Sequence, residues 1–405
     1  MVWGRLGPIT ATKGVDKQIK IYPTRVGIDK LIVTTMSVPR TMRAYVIEGT
    51  SGKVADGMAV PEIGAHEVLL RAKAVAINPT DWKHCTYQQG PEGSILGCDV
   101  AGEIVKLGSD VTNVNVGDQC FTMVSGGSTE RPGNGGFAEY VAADSRYLFK
   151  MYQQLDSAGE SFIPAGRVTT FEGAASLPIA LLAVAPTLCY LDKLKLEANS
   201  VGKDKYYLVW GGASSVGAIA IQFASFLGFR VIATCSARNS QLVESLGAER
   251  TFDYHAPDVV GQIKAYVGEK LEIAFDTIST AETMPLVNDT LPTVRPVNMD
   301  TTLDINDKIK ERKPNVSYGS HLGYLCQDDF KKFGVEAKPI YAPPGLHELS
   351  RELVKIINQL LNDPTVNLRH MPCKILSKGL NSITDGLDIV RTAKNSGVKI
   401  VINNL

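Results

Sequence analysis

"LVWGGASSVGAIAIQ", residues 208–222, runs an apolar stretch into a helix-like stretch through Gly, Gly, Ala, Ser and Ser. A plain junction between strand and helix needs only a tight turn, so a glycine pair alone says little. Gly212 and Gly217, however, fall where the first and third glycines of a G-x-G-x-x-G turn belong, with Ser214 in the middle position. In this reading Gly212 permits the sharp turn, and Gly217 lets the helix pack closely on the strand. Free backbone N–H groups at the helix start then face a pyrophosphate, which makes Gly212, Ala213, Ser214, Ser215, Val216 and Gly217 the cofactor-binding candidates of the turn. The Ser214 hydroxyl either donates to a phosphate oxygen or caps the helix.

The surroundings favour a dinucleotide turn. "YYLVW" leads into a helix from about Ser214, and "FRVIATC" into a helix near residues 239–246. "TFDY", the helix "DVVGQIKAYVG" and the strand "LEIAFDTIS" follow. Such alternation implies βαβ units and a parallel sheet. An NAD site usually ends its second strand in Asp or Glu, about 20 residues after the motif. Here that strand ends "ATCSARNSQ", with no acid before Glu244, and Ser236 and Arg238 stand in its place. A guanidinium suits a 2′-phosphate, so NADPH is the expected cofactor, while NADH use stays open. The plainer alternative makes Ser236 or Asn239 a helix cap and Arg238 a solvated side chain.

From Met42 to about Lys150 the rhythm is different. "MRAYVIEG", "EVLLRAKAVAIN", "VAGEIVKLG", "DQCFTMVSGG" and "FAEYVAAD" read as short strands between Gly, Pro, Asn and Asp clusters, as in a barrel or sandwich. Residues 151–168, "MYQQLDSAGESFIPAGRV", look like a surface insertion. The apolar stretch 175–191 carries Pro178 and Pro186 and spans 17 residues, which suits a buried helix better than a membrane span. After about Gly345 come the helix "HELSRELVKIINQLLND", the strand "RHMPCKIL", another helix and the strand "VKIVINNL".

The 405 residues suggest two domains, because single cores stop growing near roughly 250–300 residues. Forty-two acidic residues balance 42 basic ones, which removes the electrostatic footprint of a nucleic-acid or anionic-membrane binder. Seven scattered cysteines without a CxxC read as reduced thiols in an intracellular protein. Residues 1–41 hold seven basic and two acidic residues. They read as an upstream or disordered extension of a cytoplasmic protein, with a mitochondrial presequence as the alternative.

"INPTDWKH", "SILGCDVAGEIVKLGSDV", "NGGFAEYV", "WGGASSVG", "FDYHAPDVV" and "KNSGVKIVINNL" occur in the order found in the medium-chain dehydrogenase/reductase superfamily. The chain resembles that superfamily from about Arg43 to Leu405. More narrowly it resembles the zinc-independent, quinone-oxidoreductase-like branch, with its fungal aldehyde-reductase-like proteins and trans-acting polyketide enoyl reductases. The resemblance implies an α/β protein: a GroES-like β-rich catalytic domain over 42–182, a Rossmann doubly wound parallel sheet over 183–344, and a return to the first domain over 345–405. It also implies that Asn78 lies beside the nicotinamide, Tyr254 near the adenosine phosphate, and Asp276 and Thr277 at a strand end facing the cofactor. The family is usually dimeric, which makes a homodimer the expectation for assembly.

Zinc enzymes of the superfamily place a Cys where this chain has "NPT" and a His in a G-H-E motif that here reads Gly97-Cys98-Asp99. A catalytic zinc needs three protein ligands, so no metal is expected. Without a Lewis acid, hydrogen-bond donors must hold the growing negative charge and supply a proton. "NPTDWKHCTY" contributes Asp81, Lys83, His84 and Tyr87, the densest polar cluster of the catalytic half. The resemblance places Lys83 where the polyketide enzymes carry a catalytic lysine. His84 is read as a rim histidine or a proton donor. The enoyl reductases also carry a Thr about six residues after a Leu-Pro pair, whereas Leu177-Pro178 here leads to Ala183. The expected activity is therefore NAD(P)H-dependent reduction of a small aldehyde, quinone or activated alkene. A trans-acting enoyl reductase and a non-catalytic, crystallin-like NADPH binder are the rivals.

Overall fold

Strands buried on both faces read as unbroken apolar runs, and "YYLVW" is such a run: every residue of Tyr206–Trp210 is buried. The computed structural model describes residues 38–405 apart from 203, 306–308 and 310–312. The extension before residue 38, and with it the presequence reading, lies outside the described residues. Tyr206–Trp210 is, in chain order, the first strand of a six-stranded sheet. Along the sheet the order is Arg250–Asp253, Arg230–Cys235, Tyr206–Trp210, Leu271–Asp276, Val297–Thr301, Val316–Ser320, and every pair is parallel. In chain order this is 3-2-1-4-5-6, the dinucleotide-fold arrangement, whose order reverses beside Tyr206–Trp210. Ligands of such sheets bind at that reversal, outside the carboxyl ends of the strands.

The other half is a β-rich body. Thr41–Glu48 and Ser51–Ala59 form an antiparallel hairpin. A seven-stranded sheet runs Gln119–Met123, Asp99–Leu107, Glu67–Ala76, Lys399–Asn403, Cys373–Leu376 and Phe162–Ile163, with Tyr140–Asp144 also paired to Glu67–Ala76. The last strand thus returns to the first half, with Val401 opposite Ala76 and Asn403 opposite Ala74. The apolar stretch after residue 175 forms the helix Pro178–Pro186, buried except at Ile179. It packs against the helix Ser215–Leu227, so one apolar core crosses both halves. Among the described residues no helix is long and apolar enough to cross a membrane.

The surface-insertion reading of residues 151–168 is corrected. Met151, Leu155 and Val168 are buried in the core, and Phe162–Ile163 extends the sheet by pairing with Cys373–Leu376. Three apolar anchors separated by polar residues hide in a sequence pattern that has neither period.

Two carboxyl groups are enclosed beneath the parallel sheet. Asp192 accepts a hydrogen bond from Asn298 Nδ2 at 2.7 Å and lies against the Asp300 carboxyl, with the buried Tyr207 hydroxyl close to both. Burial pushes Asp192 up to about 6, and burial with the neighbouring Asp192 charge pushes Asp300 well above the carboxylate range. The folded state therefore keeps protons that the unfolded chain has released. The contribution is complete below the unfolded value and is lost as pH rises through about 6 and beyond. Asp300→Asn should raise the melting temperature over the parent, and the advantage should widen from about pH 5 to about pH 8. Thermal melts at both pH values check this; an advantage independent of pH would refute it.

Candidate active site

The turn after Tyr206–Trp210 is built by three glycines in different ways. Gly211 adopts φ +87°, the left-handed region that favours glycine, so the sharp turn sits at Gly211 and not at Gly212 as its motif position suggested. Gly212 is small for another reason: a Cβ there would lie 2.8 Å from Ala233 Cβ and 3.1 Å from both Ile221 and Val243. Gly217 is needed for close approach, because its Cβ would fall 2.3 Å from the Gly211 carbonyl oxygen. Ser214 caps the helix Ser215–Leu227, its Oγ accepting the Gly217 N–H at 2.9 Å. Ser215 and Val216 begin the first turn, where amides have no carbonyl one turn back to meet.

Thr277 ties this turn to the next strand. Its Oγ1 lies 2.9 Å from Ser214 Oγ and donates to the Trp210 carbonyl at 2.8 Å. Asp276 does something different from the cofactor contact expected of it. Its Oδ1 accepts the Ile278 and Ser279 amides at 3.0 and 2.9 Å, and its Oδ2 accepts Thr283 Oγ1 at 2.7 Å. Fully buried and fully engaged, this carboxylate shapes its own loop.

Two cavities follow the turn. The first, about 400 Å³, is lined by Gly211, Ala213, Ser214, Ser236, Arg238 and Tyr254, with Asn395 to Gly397 closing it from the C-terminal side. Arg238 is exposed there, and among the described residues no carboxylate pairs with it. Ser236 accepts a hydrogen bond from Asn239 Nδ2 at 3.1 Å, and the same amide reaches Ser396 Oγ at 2.9 Å. The second cavity, about 260 Å³, shares Ala213, Ser214, Ile278 and Asn395 with the first. It continues to Ser215, Val216, Thr277, Asn78, Pro79 and Lys399. One groove therefore runs from the end of the second strand to the catalytic half.

At the far end Asn78 precedes the helix Pro79–Thr86 and is buried in a polar network. Its amide nitrogen Nδ2 donates to Asp99 Oδ2 at 2.9 Å, and its Oδ1 accepts from Lys399 Nζ at 2.5 Å. Lys399 also pairs with Asp99 at 3.2 Å, and Asp99 Oδ1 accepts the Ile179 amide at 2.8 Å. Asp81 Oδ2 accepts the Asn78 backbone N–H at 2.6 Å, and burial pushes this carboxyl up to about 7.

The polar cluster read from "NPTDWKHCTY" is divided by its helix. Asp81 joins the Asn78 network. His84 is buried rather than at a rim, its Nδ1 2.7 Å from the Thr80 carbonyl oxygen, and its ring faces Tyr324 and Phe333. Burial, reinforced by nearby Lys331, lowers its pKa to about 4, so the imidazole is neutral at pH values where a proton donor would be charged. Lys83 is half-buried with its ammonium 5.8 Å from the Trp82 ring centre, and Tyr87 is exposed with its ring edge on Trp82. Neither lines the groove.

Residues 64–153 match the model of the alcohol dehydrogenase GroES-like domain, and residues 215–291 match that of the zinc-binding dehydrogenases. The uncharacterized protein YNL134C of Saccharomyces cerevisiae is 36% identical over 376 residues, covering 90% of this chain and 98% of that protein. The chain belongs to the medium-chain dehydrogenase/reductase superfamily, in its quinone-oxidoreductase-like branch. Within the superfamily, the trans-enoyl reductase caaB of Aspergillus niger is 31% identical over 383 residues, covering 91% and 98% of the two chains. Among solved structures, the quinone oxidoreductase of Coxiella burnetii superposes with a TM-score of 0.63 at 22% identity, over 90% of this chain and all 100% of that one. The quinone oxidoreductase of Escherichia coli, complexed with NADPH, gives 0.58 at 19% identity over 90% and 99%. The superfamily assignment makes this protein an oxidoreductase.

The name of the second matched family raises the question of zinc, and the residues do not fit it. Asn78 and Asp99 are engaged with Lys399. Cys98 lies 3.1 Å from the Tyr324 hydroxyl, and burial together with Asp81 pushes its thiol well above the usual range, away from the thiolate that zinc requires. A dinucleotide fits well: Gly217 lets the capped helix start approach the Gly211 carbonyl, and a larger side chain there would push the helix start away from the turn. Gly211 and Lys399 were not singled out by sequence reasoning. Gly211 was legible as the residue directly after an apolar strand. Lys399 had a subtler signal, a lysine opening the buried strand "KIVIN", which must find a partner inside.

Proposed function

We propose that the protein is a zinc-independent reductase that uses NADPH, with NADH as the weaker substitute, to reduce small aldehydes, quinones or activated alkenes. The observation that carries this reading is the continuous groove from Arg238 to the Asn78–Lys399 network. Bound there, the cofactor would supply a hydride. The first-turn residues Ser215 and Val216, with the helix dipole behind them, hold the pyrophosphate. Arg238 takes the 2′-phosphate, Tyr254 covers the adenosine side, and Thr277 with Ser214 fixes the turn against which the ribose lies. Asp81 and Asn78 shape the nicotinamide end. The NADPH complex of the Escherichia coli quinone oxidoreductase, a protein of the same fold, supports the cofactor choice.

A spectrophotometric screen of aldehydes, quinones and enones with both reduced cofactors tests the reading. Oxidation of NADPH by none of them, in a protein that binds NADPH, would favour the crystallin-like alternative. Prolonged chelation should leave turnover unchanged, and a loss restored only by zinc would refute the metal-free reading. The similarity to caaB supports a second reading, reduction of an enoyl chain presented in trans by a polyketide synthase. Against it stands Ala183, which offers no hydroxyl; the neighbouring Thr187 uses its own to donate to the Ala183 carbonyl at 2.8 Å. Turnover confined to carrier-bound enoyl chains would establish that second reading.

A further inference from the structure

Lys399 is the one charged side chain among the described residues lining the second cavity. It is also almost enclosed, its side chain 4% exposed and that of its partner Asp99 0% exposed. The pair has a direction. Lys399 lines the cavity, whereas Asp99 does not, so the lysine is the member of the pair that meets the cavity. An ammonium has three N–H donors. Asn78 Oδ1 and Asp99 Oδ2 take two of them, at 2.5 and 3.2 Å. The third is left for whatever occupies the cavity. A buried ion pair held in fixed orientation acts on charge inside a protein cleft far more strongly than it would in bulk water.

We propose that Lys399 holds the substrate oxygen while negative charge grows on it, taking a carbonyl or α,β-unsaturated carbonyl compound as ligand. The proposal rests on the reductase reading and assigns a residue to it. The substrate carbon accepts a hydride with its electron pair, the C=O π pair moves onto oxygen, and Lys399 donates a hydrogen bond to that oxyanion. Water entering the cleft supplies the proton that yields the alcohol; in the enone case the resulting enolate is protonated by water in the same way. The substrate gains two electrons, and the dihydronicotinamide is oxidised.

Lys399→Met alone leaves Asp99 unpaired inside the protein, so the decisive variant is Lys399→Met with Asp99→Asn, which removes both charges. NADPH binding is measured by fluorescence titration, turnover on the carbonyl panel at saturating NADPH, and binding of butyrate to the NADP⁺-loaded protein by calorimetry, the carboxylate standing in for the oxyanion. The double variant should bind NADPH as the parent does, lose on the order of 10²-fold in turnover, and lose its butyrate heat. Unchanged turnover and butyrate binding would overturn the proposal. So would a double variant that no longer binds NADPH, which would make the pair a structural element. Full turnover there combined with a collapse in Lys83→Met would return the role to Lys83. Failure of the parent itself to bind NADPH would instead overturn the reductase reading.

Discussion

A folded Gly217→Leu variant should lose dinucleotide binding altogether. The new Cβ would lie 2.3 Å from the Gly211 carbonyl oxygen and 3.0 Å from Gly212 Cα, and neither backbone atom can swing aside as a flexible side chain would. The helix Ser215–Leu227 must then withdraw from the turn. With it goes the hydrogen bond from the Gly217 N–H to Ser214 Oγ, and the first-turn amides leave the groove. Fluorescence titration with NADPH reads the loss, while circular dichroism and a thermal melt confirm folding. Gly217→Ala should show a smaller loss, since its single methyl meets the same carbonyl with less bulk behind it. Parental affinity in folded Gly217→Leu would remove the phosphate-turn assignment.

The effect expected at Arg238 is smaller but selective. Arg238 lines the same cavity as Gly211, Ser236 and Tyr254, at the end of the second parallel strand. A charge-assisted hydrogen bond contributes about 1.5–3 kcal/mol when desolvated. Because Arg238 is exposed, screening keeps the effect near the lower figure, which corresponds to roughly tenfold in affinity. Arg238→Ala should therefore raise the KM for NADPH about tenfold and leave that for NADH nearly unchanged. Equal effects on both cofactors would make Arg238 a bystander and reopen the choice of dinucleotide.

Legibility in the sequence followed physical range. The strands ending at Trp210, Cys235 and Asp276 were readable because burial on both faces forces nearly continuous apolar runs. Val297–Thr301 and Val316–Ser320 were not readable. Asn298 and Asp300 interrupt the first, Ser317 and Gly319 the second; Asn298 is accommodated by the distant Asp192, and Ser317 is exposed. The turn glycine was placed one residue late because a motif specifies spacing, while the left-handed φ at Gly211 depends on where the strand ends. Likewise, four polar residues in "NPTDWKHCTY" looked like one cluster. On the helix Pro79–Thr86, Asp81 and His84 lie three residues apart on the buried side, where each meets its own long-range partners, while Lys83 is half-buried and Tyr87, just past the helix end, is exposed.

What the sequence determined by itself was the alternation of strands and helices, the glycine-rich turn between them, and the want of an acid at the second strand's end. Each is a pattern among near neighbours, and burial periodicity or turn chemistry makes such patterns local. What only the tertiary structure decided was the site beyond the cofactor turn. Lys399 meets Asn78 across 321 residues and Asp99 across 300. That meeting exists because the last strand pairs antiparallel with Glu67–Ala76, the strand that ends just before Asn78. No local pattern records such a pairing; it is selected by the burial of two apolar strands side by side. The ammonium, the amide and the carboxylate are then enclosed together, where each must satisfy the others.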